Sequence, residues 1–453
     1  MKGVQKSPLR FQTEKILRKY QRFELADRLK KSGVLPVQSI SNCDLTDGNA
    51  RVGIGAAIYA MPSGKGVFYD WNLSAPKAFF FCGERLAMLS DENKFYFYDE
   101  STRTYALEHT FGGEMTFVQA QDDSGVYHTY FCGEAGVFSY NESGGVKKVL
   151  SLACLPVAAS FQGRIFTACN DSIVYSAPFS TGDFSESIDG GGRVVLPADT
   201  GEVVDMAATS NALFVFCRRG IWKLSAAGSA RDFRLEQVGF TGKNILNGSA
   251  CAVACPSGEK VLFFDEYGPW KIDGSGVSEI CRNMTYSLKK SGRVCEHAYL
   301  NGKVVYSLRG SDNFVRNWVL DLQTEKAYPS FTAEGLSTLK GQAVGVVDGL
   351  VYALREEEIL PTHRISELIA RACDFGVLGE KTLRRLRLVG EGKFTLTIST
   401  GNKTKTFTLQ TKDGEASLDV RLKGDFFRLR FVFGDGAILR GLDVELCKLK
   451  GLR

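Results

Sequence analysis

Trp222-Lys223-Leu224-Ser225, Trp270-Lys271-Ile272-Asp273 and Trp318-Val319-Leu320-Asp321 follow one another at a constant spacing of 48 residues. In each, two bulky apolar residues one position apart fall on the same face of a strand, and a short polar residue then opens a turn. Weaker copies stand upstream at Tyr96-Phe97-Tyr98-Asp99, Phe138-Ser139-Tyr140-Asn141 and Ile173-Val174-Tyr175-Ser176, with spacings of 42, 35 and 49 residues leading to Trp222. A repeat of about 40 to 50 residues, built from strand formers and turn formers, is the signature of a β-propeller blade.

A second apolar run precedes most copies: Phe79-Phe80-Phe81-Cys82, Arg164-Ile165-Phe166-Thr167, Leu213-Phe214-Val215-Phe216, Val261-Leu262-Phe263-Phe264 and Val304-Val305-Tyr306. Turn formers such as Asp91-Glu92-Asn93, Asn170-Asp171 and Tyr267-Gly268-Pro269 separate run from copy, which predicts hairpins. A last weak unit, Gly349 to Leu354, completes a propeller of six or seven blades over residues 34–361. The competing reading is an ordinary all-β sandwich with chance aromatic spacing.

At 453 residues the chain exceeds a single ordinary core, and its 48 glycines against 11 prolines suit a turn-rich β protein. No stretch approaches the roughly 18 to 20 uncharged apolar residues of a membrane span, and the opening residues lack the order of a signal peptide. The 12 cysteines sit in strand-like runs (Cys82, Cys132, Cys169, Cys217) and are expected to be free, buried thiols.

Two segments flank the repeats. Residues 8–31 predict a basic amphipathic helix within an N-terminal segment 1–33, because Ile16, Tyr20, Phe23 and Leu29 recur at helical intervals and Gly33 offers a stop. Residues 362–453 show dense alternation: Leu386 and Leu388 among arginines, Phe394, Leu396 and Ile398 among threonines, and Phe427, Leu429 and Phe431 among Arg428 and Arg430. That pattern predicts a separate C-terminal antiparallel β-sandwich with one wet and one buried face. Residues 1–31 carry ten Lys/Arg against three Asp/Glu, and 362–453 carry eighteen against eleven, so each end is +7 while the middle is −9.

Motifs for chemistry are sparse. His109, His128, His297 and His363 stand in no metal-ligand spacing. Cys251 and Cys255 would share one face of a strand, which predicts core packing rather than a metal site. Gly190-Gly191-Gly192 leads into Val194-Val195-Leu196 with no Lys-Ser/Thr, so it reads as a loop and not a phosphate cradle. Glu356-Glu357-Glu358 reads as a solvated run, and neither a nucleophile elbow nor a sialidase-type box occurs. The expectation is no catalytic residue, no metal and no cofactor.

The passage Ser176-Ala177-Pro178 through Gly182-Asp183-Phe184, the three glycines, Val203-Val204-Asp205-Met206 and Gly220-Ile221-Trp222 resembles a recurrent stretch of bacteriophage tail propellers of the tail-hub, nozzle and packaged-DNA-stabilisation type. The opening Ile40 to Leu45 with Asp47-Gly48, and the run Lys381 to Leu388, are similar too, whereas residues 8–31 match nothing in that family. The resemblance implies a virion structural protein, assembled in the bacterial cytoplasm, forming a homo-oligomeric ring, by analogy a hexamer. It would dock on connector, tail or fibre proteins while packaged DNA passes without sequence-specific contact. An acidic propeller would let DNA slide, and the basic pieces would meet acidic partner subunits. Arg18, Lys19 and Arg22, with Arg384, Arg385 and Arg387, are then the candidate partner contacts. The alternatives are a long-tailed phage baseplate or host-recognition component, and a carbohydrate-binding propeller.

Overall fold

The computed structural model describes residues 13–25 and 33–449, apart from positions 46, 71, 171, 181, 189, 198, 200, 227–231, 241–243, 275, 282–290, 311–313, 357–364 and 402. The chain is all-β, with no α-helix among the described residues. It divides into two compact units: residues 56–327 with 332–355, and residues 1–55 with 328–331 and 356–453.

The first unit is a β-propeller. Among the described residues, seven four-stranded sheets, I to VII, occupy residues 76–110, 115–150, 158–195, 203–240, 251–279, 291–329 and 334–355. Each runs up and down in sequence order, and strand Gly55–Ile58 supplies the fourth strand of sheet VII. At the II–III, III–IV, IV–V, VI–VII and VII–I seams the first strands of the two sheets lie beside one another, which puts the first strands on the inner side. Both faces of each sheet are apolar, and the residues alternate between two seams. In sheet I, Tyr96 and Tyr98 face sheet VII while Phe95 and Phe97 face sheet II. Aromatic pairs cross the seams, with Phe95 to Phe131 at 4.8 Å, Phe216 to Phe263 at 5.1 Å and Phe264 to Tyr306 at 4.7 Å between ring centroids. Leu339, Val344, Val346 and Val351 of sheet VII share one core with Phe79, Leu86 and Met88 of sheet I, which closes the circle.

The sequence repeat is the third strand of each sheet. Trp222 lies opposite Val215, Trp270 opposite Phe263 and Trp318 opposite Tyr306, and two residues on, Leu224, Ile272 and Leu320 lie opposite Leu213, Val261 and Val304. All three indoles pack toward the preceding sheet. The copy in sheet III is out of phase: Ile173 and Tyr175 face sheet IV, and Val174 takes the seam with sheet II. Four of the upstream runs are second strands, as hairpin spacing requires, but Phe79 to Cys82 belongs to the first strand of sheet I, with Arg85–Ser90 between it and the copy. Asp171 of the Asn170-Asp171 turn lies outside the described residues.

The second unit holds two six-stranded sheets around one core. One contains Thr13–Tyr20, Cys43–Asp44, Ala50–Val52, Lys381–Glu391, Glu415–Gly424 and Ile438–Leu449; the other contains Arg22–Leu25, Val34–Ser41, Ser366–Ala370, Lys393–Thr400, Lys403–Gln410 and Arg428–Phe433. Leu386, Leu388, Leu442 and Val444 from the first pack with Phe394, Leu396, Leu429 and Phe431 from the second, as the alternation foretold. The N-terminal helix is a misreading. Thr13–Tyr20 is a strand paired along its whole length with Ile438–Leu449, and Arg22–Leu25 pairs in parallel with Val34–Ser41. Ile16 and Tyr20 are four apart, an interval that puts two residues on one face of a strand as well as of a helix, and a 12-residue partner strand decides between them. Leu29 lies outside the described residues. The propeller boundary also moves, since Val34–Ser41, Cys43–Asp44 and Ala50–Val52 are strands of this second unit.

Replacing Trp318, 6% exposed in the seam between sheets V and VI, with alanine is expected to cost about 3 to 5 kcal/mol in denaturant unfolding. The Trp270 indole N–H has no acceptor among the described residues. W270F, which removes that donor, should therefore cost clearly less than W270A. Unchanged midpoints in W270A and W318A would remove the assignment of these residues as seam anchors.

Candidate functional site

Five of the six basic residues singled out in the sequence are brought onto one sheet, around the long strand Ile438–Leu449. Cross-strand register sets Lys19, Asp443 and Arg387 in one row, and Leu17, Glu445, Arg385 and Asp419 in the next. These positions alternate with the core residues Val444, Leu386 and Leu418, so they form the face turned away from the core. The result is a lattice of alternating charge. Arg385 Nε donates to Asp419 at 3.0 Å, Arg387 pairs with Glu415 and, at 3.5 Å, with Asp443, and Arg384 and Lys15 share Glu445 at 3.5 and 3.0 Å. The Arg385 hydrogen bond holds the Asp419 carboxyl below the usual range. Arg18 alternates to the other side and donates Nε to the Phe375 carbonyl at 3.1 Å. Arg22 does not join them, because it starts the parallel strand of the second sheet. Cations outnumber carboxylates on the second unit as a whole: it carries 29 Lys/Arg against 19 Asp/Glu, while the propeller unit carries 27 against 32. The propeller is thus −5, less acidic than residues 34–361 read alone, because Asp44, Asp47 and the Glu356 run lie in the other unit. Glu357 and Glu358 lie outside the described residues.

At the centre of the propeller the polar side chains hold neighbouring sheets together. Lys77 Nζ donates to the Met115 carbonyl at 2.6 Å, and Gln119 Nε2 to the Phe81 carbonyl at 2.5 Å. Asp205 accepts from the Ala250 N–H of sheet V at 2.6 Å, and Glu296 from the Leu336 N–H of sheet VII at 2.8 Å. Enclosure of these carboxyl groups pushes Asp205 up to about 7 and Glu296 up to about 8, the latter also through Glu334. Burial depresses His297 to about 4. These residues form inter-sheet clasps rather than a converging site.

The first part of the passage that carried the family resemblance is the connection between the third and fourth strands of sheet III, while Val203 to Met206 and Gly220 to Trp222 lie in the first and third strands of sheet IV. Buried Arg164 donates Nη1 to the carbonyls of Ser176 at 2.8 Å and Gly190 at 2.6 Å, and the Phe179 N–H donates to Gly163 O at 2.6 Å. Phe179 adopts φ 52°, uncommon for an aromatic residue, and its ring is half exposed beside Gly163. Sequence reading missed Phe179, since nothing in its neighbours marks a positive φ. Gly190 and Gly191 are hydrogen-bonded parts of this loop and Gly192 opens a strand.

His128 pairs with Asp122 at 2.8 Å, and His109 lies against Phe111 and Phe138. His363 lies outside the described residues. Cys251 and Cys255 share a core face. Among the described residues no group of three or more His, Cys, Asp or Glu could hold a metal ion.

No protein family matches the sequence, and no curated protein does. Solved structures of similar shape include the extracellular domain of BT4673 from B. thetaiotaomicron, at 11% identity and TM-score 0.44, covering 86% of this chain and 58% of that one. Catalytically inactive virginiamycin B lyase from Staphylococcus aureus with quinupristin has 13% identity, TM-score 0.43 and coverage of 63% and 97%. The Myceliophteria thermophila Cps50 (Swd1) beta-propeller domain has 12% identity, TM-score 0.42 and coverage of 62% and 96%.

Asp205 and Glu296 bind protons more tightly folded than unfolded, so their stabilising contribution is full below about pH 4 and is lost as pH rises through 7 to 8. His297 acts oppositely, losing its contribution as pH falls from about 6.5 toward 4. Between about pH 6.5 and 8 the carboxyl groups dominate, because the buried thiols, raised by burial, add their own loss of stability above that range. Unfolding free energy is expected to fall across that window, on the order of 1 to 3 kcal/mol per group, and the double variant D205N/E296Q should flatten the profile. An unaltered slope in the variant would show that these groups are ionised in the folded protein.

Proposed function

We propose that the chain is a non-enzymatic structural protein of a bacteriophage tail, whose copies dock head to tail into a ring that helps retain and conduct packaged DNA. In this reading each four-stranded sheet is one blade of a seven-bladed propeller, and the two six-stranded sheets form a β-sandwich. The supporting observation is the charge contrast between the units, +10 against −5. Opposite charge on two parts of one chain favours a heterologous contact, in which a basic face of one copy meets an acidic face of the next, and such contacts close into rings. The lattice around Arg385 and Arg387 supplies geometry for that contact, since both guanidinium groups are already pre-positioned by carboxylate neighbours. The acidic propeller is the part suited to a conduit, because phosphate-binding cations would hold DNA through salt-dependent attachments that must break as it moves.

The test is assembly. Mass photometry in low salt is expected to show rings, six copies by the family analogy, that dissociate as salt rises. The double variant R385E/R387E should remain folded, because exposed strand charges add little stability, yet stay monomeric. A wild-type protein that is monomeric at every salt and concentration would refute ring formation. Strong, salt-sensitive duplex affinity lost in that double variant would reassign these arginines to DNA. Hydrolysis of a glycoside panel by the pure protein would reject the non-enzymatic reading.

A further inference from the structure

Three thiols converge where sheets II and III meet. Cys154 lies in the connection between those sheets and is fixed by its backbone: its N–H donates to Gly133 O at 3.1 Å, and the Leu155 N–H to Ala168 O at 2.7 Å. Cys169 ends the second strand of sheet III. Their sulfur atoms are 2.7 Å apart, closer than the van der Waals contact of two sulfurs, while the sequence places the residues 15 apart. Cys132 of sheet II belongs to the same buried cluster.

We propose that Cys154 and Cys169 form a reversible disulfide that staples the connection between sheets II and III to the edge of sheet III. With the Cys154 thiol as donor to the Cys169 sulfur, one of the two directions open to this pair, the hydrogen bond, helped by the Arg193 charge, lowers the Cys169 pKa and raises that of Cys154. Burial pushes Cys132 up to about 12, so it stays a thiol. In that arrangement Cys169 is the nucleophile and Cys154 the resolving thiol, and exchanged roles would give the same disulfide. With a peroxide as oxidant, the Cys169 thiolate attacks one oxygen, the O–O bond breaks and hydroxide leaves, giving a sulfenic acid. The Cys154 sulfur then attacks the Cys169 sulfur, the S–O bond breaks, and the thiol proton leaves with the hydroxyl as water. Both main-chain segments are already tied to the sheets, so the S–S bond closes with little backbone movement. Its closure removes freedom from the unfolded chain.

Peroxide treatment of the full chain, alkylation under denaturing non-reducing conditions and tryptic mapping test this directly, because Cys154 and Cys169 fall in different peptides, 149–164 and 165–193. The expected product joins the two with loss of two hydrogens and separates on reduction. C154S and C169S should lose it, while C132S keeps it. The melting midpoint of the wild-type protein should rise on oxidation and return on reduction. A link from the Cys132 peptide 104–147, or recovery of both Cys154 and Cys169 alkylated after Cys255 and Cys447 have been oxidised, overturns the proposal. An oxidised, linked protein with an unmoved midpoint would overturn the stapling role.

Discussion

The propeller depends on one non-sequential pairing, the addition of strand Gly55–Ile58 to the outer edge of sheet VII. Tyr59 N–H donates to Val351 O at 2.8 Å and Tyr69 N–H to Gly349 O at 2.9 Å, tying the entering segment to the last sheet. Every four-stranded sheet has two apolar faces, so a linear array would leave one face of the first and one of the last in water. Closure gives sheet I and sheet VII a common seam, built on Phe79, Met88, Val344 and Val351. Burial of these side chains is stabilising by roughly 1.5 to 3 kcal/mol each, and the two terminal faces would forfeit that together if the pairing failed.

Apolar seams are non-directional, and something else must set the angle between sheets. The clasps at Lys77, Gln119, Asp205 and Glu296 do this by aiming a side chain at one backbone group of the neighbouring sheet. Burial is the largest influence on both Asp205 and Glu296, outweighing the Arg309 charge that acts on Glu296, and so enclosure favours their neutral forms. A protonated carboxyl still accepts a backbone hydrogen bond, and its desolvation cost is far below that of a buried carboxylate. Raised pKa values here report structural placement. They would mark catalytic groups only in a cleft with convergent partners, and the clasps point at backbone instead.

The third strands were legible because a tryptophan and an aliphatic residue two positions on must both fill one seam, and a constant 48-residue spacing repeats that demand. First strands such as Ala158–Phe161 and Val203–Ala208 were not, since small residues at the crowded centre carry little pattern. Sheet III misleads in phase because Ile173, Val174 and Tyr175 are all bulky, leaving either face readable. The N-terminal strand failed for a physical reason of the same kind: its partner is more than 400 residues away, and local periodicity cannot see it. The same distance hid the composite unit, in which Asn42, at φ 43° and fully buried, turns the chain from one six-stranded sheet into the other while its side chain donates to Ile54 O at 3.0 Å. The Cys154 and Cys169 thiols were likewise invisible, as no short spacing joins them.

The charged lattice shows why a run of arginines is a poor guide to an unopposed basic surface. Arg384, Arg385 and Arg387 look cationic in sequence, yet cross-strand register sets Glu445, Asp443, Asp419 and Glu415 around them. Exposed pairs of this kind add little to stability, so thermodynamic need alone does not explain these seven charges gathered on one face. Their effect is to fix guanidinium groups in defined orientations and to discourage pairing with an arbitrary edge or anion. A duplex would have to displace the carboxylates from these arginines before its phosphates could replace them. A face with matching alternation of charge, by contrast, would leave the existing pairs in place.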